Sequence, residues 1–213
     1  MKILYCVQLT GNGHVTRANE LIPEFKKVAK VGVLTSGNQN SLEIKEKVNF
    51  KFRGLSFVFG SRGGVDIFKT ILNLRPFTFI KDVFNLQVKN YDLIINDFEP
   101  VSAWACKFRE VPCYSMSRQF FLLQKNSFNK VKPKLYEFLI LKYFAPSING
   151  IGFDYKKDNS NNFYPIIKSD IKRKKVLNKN HYAIYLPSFS IENIISFFSS
   201  LDEVIWHCLL YTS

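Results

Sequence analysis

Lys2-Ile3-Leu4-Tyr5-Cys6-Val7, followed closely by Gly11-Asn12-Gly13-His14, is the stretch whose reading decides the fold. The first six residues form a short apolar run of the kind that makes a buried strand, and the glycine loop ends it. Over residues 15–30 Val15, Ala18, Leu21, Ile22, Phe25, Val28 and Ala29 recur at helical spacing. Val31-Gly32-Val33-Leu34-Thr35 is then a second buried-type strand, closed by Ser36-Gly37-Asn38. Strand, helix and strand make one βαβ unit. Its right-handed crossover puts the loop after the first strand at the carboxyl edge of a parallel sheet, where ligands of open α/β sheets bind.

The alternation continues outward. Residues 50–59 read as a strand broken near Gly54, and residues 60–64 as a flexible loop containing Arg62, leading into a helix over 66–74. Tyr91-Asp92-Leu93-Ile94-Ile95-Asn96 is the clearest central strand and ends in Asp97-Phe98-Glu99-Pro100. A helix over 101–109 and a strand over 111–116 follow. This pattern predicts an α/β protein with a doubly wound, Rossmann-like parallel sheet. Past Lys156–Asn162, polar and linker-like, and the charge run 171–175, read as a solvated face, a second such unit starts: a strand over 181–187, a helix over 191–201 and a strand over 203–206. The expected division is 1–164, 165–207 and a tail of 208–213.

Composition sets outer limits. With 46% apolar and 22% charged residues in 213, the chain can bury a core and is not disordered as a whole. No apolar run is long enough for a membrane span or a signal segment, so the chain reads as cytoplasmic. Cys6, Cys106, Cys113 and Cys208 show no zinc or disulfide spacing and read as buried free thiols. A formal charge of +13 invites an anionic surface as partner. Lysine supplies twenty-three of the thirty basic residues, however, and no arginine stripe or stacking-aromatic motif points to nucleic acid. Residues 120–145 mix aromatic and aliphatic side chains with Lys125, Lys130, Lys132 and Lys134. An element lying on a membrane surface fits that mixture. A core helix with lysines on its wet face fits it too.

The last six residues, Cys208-Leu209-Leu210-Tyr211-Thr212-Ser213, are what TGT CTC TTA TAC ACA TCT encodes, the end of a transposon adapter used in preparing sequencing libraries. The tail is therefore expected to be adapter-derived, a terminus of ordinary residues being the alternative.

The loop after the first strand carries the chemistry. Gly11 and Gly13 permit close approach of a ligand to the backbone, and the free N–H groups of a helix start favour anions such as phosphate. His14, at that helix start, is placed as a general base toward a hydroxyl, since an imidazole titrates near neutrality. It would equally serve as a helix cap. Asp97 and Glu99 follow the central strand to the same edge, where one carboxylate can orient the ring. With Pro100 at a first helical turn, Glu99 or Phe98 is the nearer cap, which leaves Asp97 for the site. Arg17, one turn into the helix, faces an anionic acceptor or covers the helix surface. Arg118, after the 111–116 strand, reaches the same edge toward acceptor or hinge, and Arg62 is placed to clamp phosphate.

Three segments together resemble a known family. They are Ile3-Leu4-Tyr5 through Gly11-Asn12-Gly13-His14-Val15-Thr16-Arg17-Ala18; Arg53-Gly54-Leu55-Ser56-Phe57-Val58-Phe59-Gly60 with Gly63-Gly64-Val65-Asp66; and Asn96-Asp97-Phe98-Glu99-Pro100-Val101-Ser102-Ala103-Trp104-Ala105. They look like the amino-terminal half of a bacterial and archaeal glycosyltransferase-like family of the GT-B superfamily, related to glycosyltransferase family 28 and the UDP-glycosyltransferases. The likeness continues through Gly150-Ile151-Gly152-Phe153 and Tyr164-Pro165-Ile166-Ile167 to Tyr182-Ala183-Ile184-Tyr185-Leu186-Pro187. It implies two Rossmann-like domains, the first holding the acceptor and the second the nucleotide sugar, with only the onset of the second expected in this chain. It implies hexosyl transfer from a nucleotide sugar, UDP-linked, to a lipid-linked or cell-surface hydroxyl acceptor at the inner face of the membrane. His14 would be the base and Asp97 its helper, with Gly11, Asn12, Gly13, Arg17, Glu99 and Arg118 around substrate and phosphates. Inverting transfer of this kind needs no metal or other cofactor. The donor loop would lie beyond His207, so the chain is expected to be truncated and inactive alone. A binding module that kept the fold without catalysis, and a nucleotide-sugar epimerase, are the competing functions.

Overall fold

The computed structural model describes residues 1–38, 40, 42–58, 66–124, 134–155, 162–178, 180–186, 189–199, 201 and 204–209. The expected 60–64 loop with Arg62, Lys125, Lys130 and Lys132, the linker stretch 156–161 and residues 210–213 lie outside them. The chain divides into two compact units, Met1–Leu55 with Arg75–Lys172, and Ser56–Leu74 with Arg173–Ser213.

The first unit is built on seven parallel strands in the order β3-β2-β1-β4-β5-β6-β7. These are β1 (Lys2–Gln8), β2 (Lys30–Ser36), β3 (Phe50–Phe52), β4 (Leu93–Asp97), β5 (Cys113–Ser117), β6 (Asn149–Phe153) and β7 (Asn162–Phe163). The order reverses at β1, whose two neighbours are β2 and β4, with Val7 in register with Thr35 and with Asp97. An α/β fold with a doubly wound, Rossmann-like parallel sheet is thus present, and its crevice opens at the carboxyl ends of β1 and β4.

Helices cover both faces, which is why β1 is apolar on both sides. Helix α1 (Asn12–Lys26) lays Ala18 and Ile22 on Ile3, Tyr5, Val7, Val33 and Ile95. The alternate β1 residues point the other way, where Ser102 and Cys106 of α4 (Pro100–Phe108) approach Cys6. The helix expected over 15–30 begins at Asn12, because Gly11 takes the cap position and Gly13 and His14 continue into the first turn. The expected 50–59 strand keeps only Phe50–Phe52. It stops where Gly54, at φ 60, turns the chain against Ser36, too close for a Cβ. Helix α3 (Pro76–Asn85), with proline at its start, and a 3-10 turn at Val88–Asn90 were not anticipated.

After β5, α5 (Arg118–Leu122) is capped by Ser117, and α6 (Leu135–Tyr143) precedes β6. For α6 the core-helix reading does not hold, although Phe144 and Ala145 just after it are buried. No residue of α6 is buried, and its apolar side chains are spread round the axis instead of gathered in one stripe. Leu135, Leu139 and Tyr143 are exposed beside Lys134 and Lys142. A one-turn helix, α7 (Ser169–Lys172), carries the start of the solvated charge run.

In the second unit α2 (Ile67–Asn73) follows Asp66, which accepts the Lys69 N–H at 2.9 Å. Strands β8 (Tyr182–Ile184) and β9 (Trp206–Cys208) pair in parallel, joined through α8 (Ile191–Phe198), so a second βαβ unit is present. Ile184 and Ile194 form its buried centre, and Ser190 caps α8. Of the four cysteines, all free, Cys6, Cys106 and Cys113 are buried as expected. Cys208, the last residue of β9, is exposed. Among the described residues no helix is long and apolar enough to cross a membrane.

Candidate active site

Alternation along β1 and β4 decides which side chains reach the α1 side of the sheet. Tyr5, Val7, Ile95 and Asp97 share that face, and Asp97, the last residue of β4, sits at the crevice. Helix α1 starts directly after β1, and the three-residue spacing of His14 and Arg17 puts both on one side of its first turns. The three side chains meet. His14 Nδ1 stands 2.8 Å from Asp97 Oδ1, Arg17 Nη2 donates to the same oxygen at 2.8 Å, and Arg17 Nε donates to Oδ2 at 2.8 Å. Arg17 thus grips the carboxylate with a two-pronged, charge-assisted contact.

Burial alone would push the Asp97 carboxyl up. The charges of His14 and Arg17 and the hydrogen bonds from both outweigh it and hold the group below the usual carboxylate range. Asp97 is therefore ionised and can only accept. Arg17 Nη2, a donor, also lies 3.3 Å from His14 Nδ1, but the ionised Oδ1 at 2.8 Å is the closer partner and favours a neutral His14 with its proton on Nδ1 and its lone pair on Nε2. That atom has no hydrogen-bond partner among the described residues. His14 keeps 11% of its side chain exposed while Asp97 keeps none, so solvent and ligands reach the imidazole and not the carboxylate. Burial disfavours the Arg17 cation, but Asp97 more than offsets this and its titration moves up. The guanidinium also lies 5.0 Å over the Phe153 ring.

The other expected site residues divide. An added Cβ at Gly11 or Gly13 would meet nothing within 4 Å, so the space before the loop is open. No side chain at the cap position, Gly11, accepts from the first turn of α1. Asn12 turns aside: its Oδ1 accepts the Leu42 N–H at 3.2 Å and ties down a neighbouring loop. Arg17 neither covers the helix surface nor extends toward a ligand with its whole head, since two of its three nitrogens hold Asp97. Glu99 is not brought to His14. It caps α4, accepting from Val101 N at 2.8 Å and Ser102 N at 2.7 Å, and is fully buried on the opposite face near Cys6. Burial without a cation raises its carboxyl above the ordinary value, against hydrogen bonds from Ser102 and Ser36. Arg118 opens α5 at the carboxyl edge, exposed and without an ion pair among the described residues.

Two neighbours of the site were not anticipated. Phe153 ends β6 and walls the Arg17 head. Tyr5 lies beneath, fully buried, its hydroxyl without a hydrogen-bond partner among the described residues. Burial first, and the Asp97 charge second, push that phenol up. The three-residue spacing of His14 and Arg17 beside a strand-end aspartate was the one signal in the sequence that could have paired Arg17 with Asp97. A cavity of about 610 Å³ lies elsewhere, lined by Cys106, Phe120, Leu123, Tyr143 and Ile148 with Lys107 and Lys142, and touches none of the residues of this site. Among the described residues no group of three or more His, Cys, Asp or Glu side chains stands together as a metal site.

Comparison with known proteins finds one family, described as Glycosyl transferase family 1, whose pattern matches residues 1–212. None of the curated proteins and none of the solved structures compared matches the chain.

Proposed function

The chain belongs to glycosyl transferase family 1, and on that premise we propose that it transfers a hexosyl group from a UDP-linked sugar to a hydroxyl of a lipid-linked or cell-surface acceptor, with His14 as general base. The family implies a nucleotide-sugar donor and an acceptor; the uridine base, the lipid carrier and a kinship with family 28 and the UDP-glycosyltransferases belong to this proposal. One observation carries it: a 2.8 Å contact from a buried, ionised carboxylate to Nδ1 of His14, with Nε2 uncommitted at the crevice.

In the proposed step Nε2 takes the acceptor's proton as its oxygen attacks the anomeric carbon. The new C–O bond forms, the bond from that carbon to the phosphate oxygen breaks, and the nucleoside diphosphate leaves with the electron pair. The transient imidazolium faces Asp97, which stabilises it without taking its proton. Arg17 keeps that carboxylate ionised and fixed. The open space beside Gly11 and Gly13, at the positive end of α1, favours anionic oxygens of donor or acceptor. The acceptor is assigned to residues 1–164 and the onset of the donor side to 165–207. Exposed Leu135, Leu139 and Tyr143 beside Lys134 and Lys142 support contact with an anionic membrane surface.

The test is transfer from a panel of nucleotide hexoses to lipid and glycan acceptors by the protein supplied with a complete donor half, with His14→Ala beside the otherwise unaltered form. The expected loss in kcat is roughly 10²- to 10⁴-fold. A folded variant with unchanged kcat removes His14 as the base. An unaltered protein that binds but never transfers is a binding module, and one that isomerises the sugar without acceptor is an epimerase.

A further inference from the structure

Between Asp97 and Glu99 stands Phe98, buried, at φ 57. A bulky side chain occupies the left-handed region only where its surroundings over-determine it, and such residues gather at functional sites. The surroundings here are specific. The Asn96 carboxamide spans the turn: its Oδ1 accepts the Glu99 N–H at 3.0 Å, and its Nδ2 donates to the Glu99 carbonyl at 2.7 Å and to Ser102 Oγ at 2.9 Å. Ser102 Oγ in turn donates to the Glu99 carboxylate at 2.5 Å. On the far side the Phe98 ring stacks on Phe144, centroids 4.8 Å apart.

Asn96 belongs to β4 and points to the face opposite Asp97, and no hydrogen bond joins it to His14 or Arg17. Its connection to the site runs through the backbone alone. Helix α4 is anchored by burial of Val101, Ala103 and Ala105, and Asp97, the last residue of β4, is the neighbour through which a relaxation at Phe98 reaches the site.

We propose that Asn96 is a positioning residue: by clamping the left-handed turn at Phe98 it sets the direction in which the Asp97 carboxylate leaves β4, and through it the tautomer of His14. The inference rests on the reading of His14 and Asp97 as a dyad. It explains why the chain spends a fully satisfied, buried amide on the face that carries no chemistry.

The test reads the imidazole nitrogens directly by long-range ¹H–¹⁵N NMR, which needs no substrate. The chain has three histidines, and His14→Ala assigns the ring. The unaltered protein is expected to show neutral His14 protonated at Nδ1. Asn96→Ala moves the ratio toward Nε2–H by roughly tenfold or more, the preference that a hydrogen bond to a charged acceptor confers. Glycine takes positive φ without a clamp, so Phe98→Gly, and Phe98→Gly combined with Asn96→Ala, both keep the Nδ1–H form. An Asn96→Ala protein with the unaltered ratio overturns the inference. If Asn96→Ala alone does not fold, the glycine pair decides: a double variant that loses the Nδ1–H form, or fails to fold, overturns it as well. Nε2–H in the unaltered protein would instead sink the dyad itself, and the clamp with it.

Discussion

Replacing Asp97 by asparagine keeps the shape of the side chain and removes its charge, so it isolates the electrostatics of the site. In the native arrangement Oδ1 and Oδ2 together face three N–H donors, from His14 Nδ1, Arg17 Nη2 and Arg17 Nε, all at 2.8 Å. An amide has only one oxygen. If that oxygen faces His14 and Nη2, the amide N–H₂ meets Arg17 Nε donor to donor. If it is flipped, Nη2 is the orphan, and His14 is driven to the other tautomer. In either pose the guanidinium, with only 13% of its side chain exposed, becomes a nearly buried cation without a counter-charge. Breaking a buried pair from one side costs about 3–5 kcal/mol. For a domain of this size that corresponds to a fall in Tm of roughly 6–20 °C. Thermal melts followed by circular dichroism measure it, and Arg17→Met in the Asp97→Asn background recovers part of the loss by deleting the stranded cation. The pH dependence has a definite sign. Asp97's folded-state pKa lies below its unfolded value of about 3.9. Its contribution is therefore complete above that pH and fades as pH falls through the folded value, a limb that Asp97→Asn lacks. A loss below about 1 kcal/mol, the median range of an exposed ion pair, would refute the description of a buried, mutually dependent triad.

Two other substitutions probe the frame around the site. Tyr5→Phe deletes a buried hydroxyl that has no partner among the described residues; it should leave stability unchanged or raise it by up to about 1 kcal/mol in urea titrations, because an unmade hydrogen bond is being removed. A clear destabilisation would mean that the hydroxyl is satisfied. Gly54→Ala should cost roughly 1–3 kcal/mol, since φ 60 disfavours any Cβ and the added carbon would lie 2.6 Å from Ser36 Oγ, itself held by Gln8. A neutral result in the same titration would show that the turn relaxes freely.

Much of this arrangement was legible in the residues. The apolar run of β1, the glycine break and the helical spacing after it dictate a βαβ unit, and any strand that ends in aspartate in the same parallel sheet delivers that aspartate to the same edge as the loop. From this alone His14 and Asp97 were expected at one mouth, and the structure sets them 2.8 Å apart. Glu99 as a cap was also legible, because Pro100 opens a helix and the residue before it accepts the orphan N–H groups. The start of α1 was misplaced, because a glycine-rich segment carries no local preference that separates a loop from a first helical turn. Helix α6 shows the same limit: its apolar residues fit a core face and an exposed one alike, and only the packing shows that none of them is fully buried.

What the sequence by itself determined, then, is the type of each strong element and the sheet edge to which its last residue points, since both follow from periodicity and from the hand of the crossover. Which partner each charged group takes was decided only in three dimensions. Arg17 is eighty positions from Asp97, and the choice between solvent, ligand and that carboxylate depends on the register of β1 against β4 and on how deeply the carboxylate is desolvated. The left-handed turn at Phe98 is of the same kind: its local cost argues against it, and it persists because Asn96, Ser102 and Phe144 converge on it from different elements.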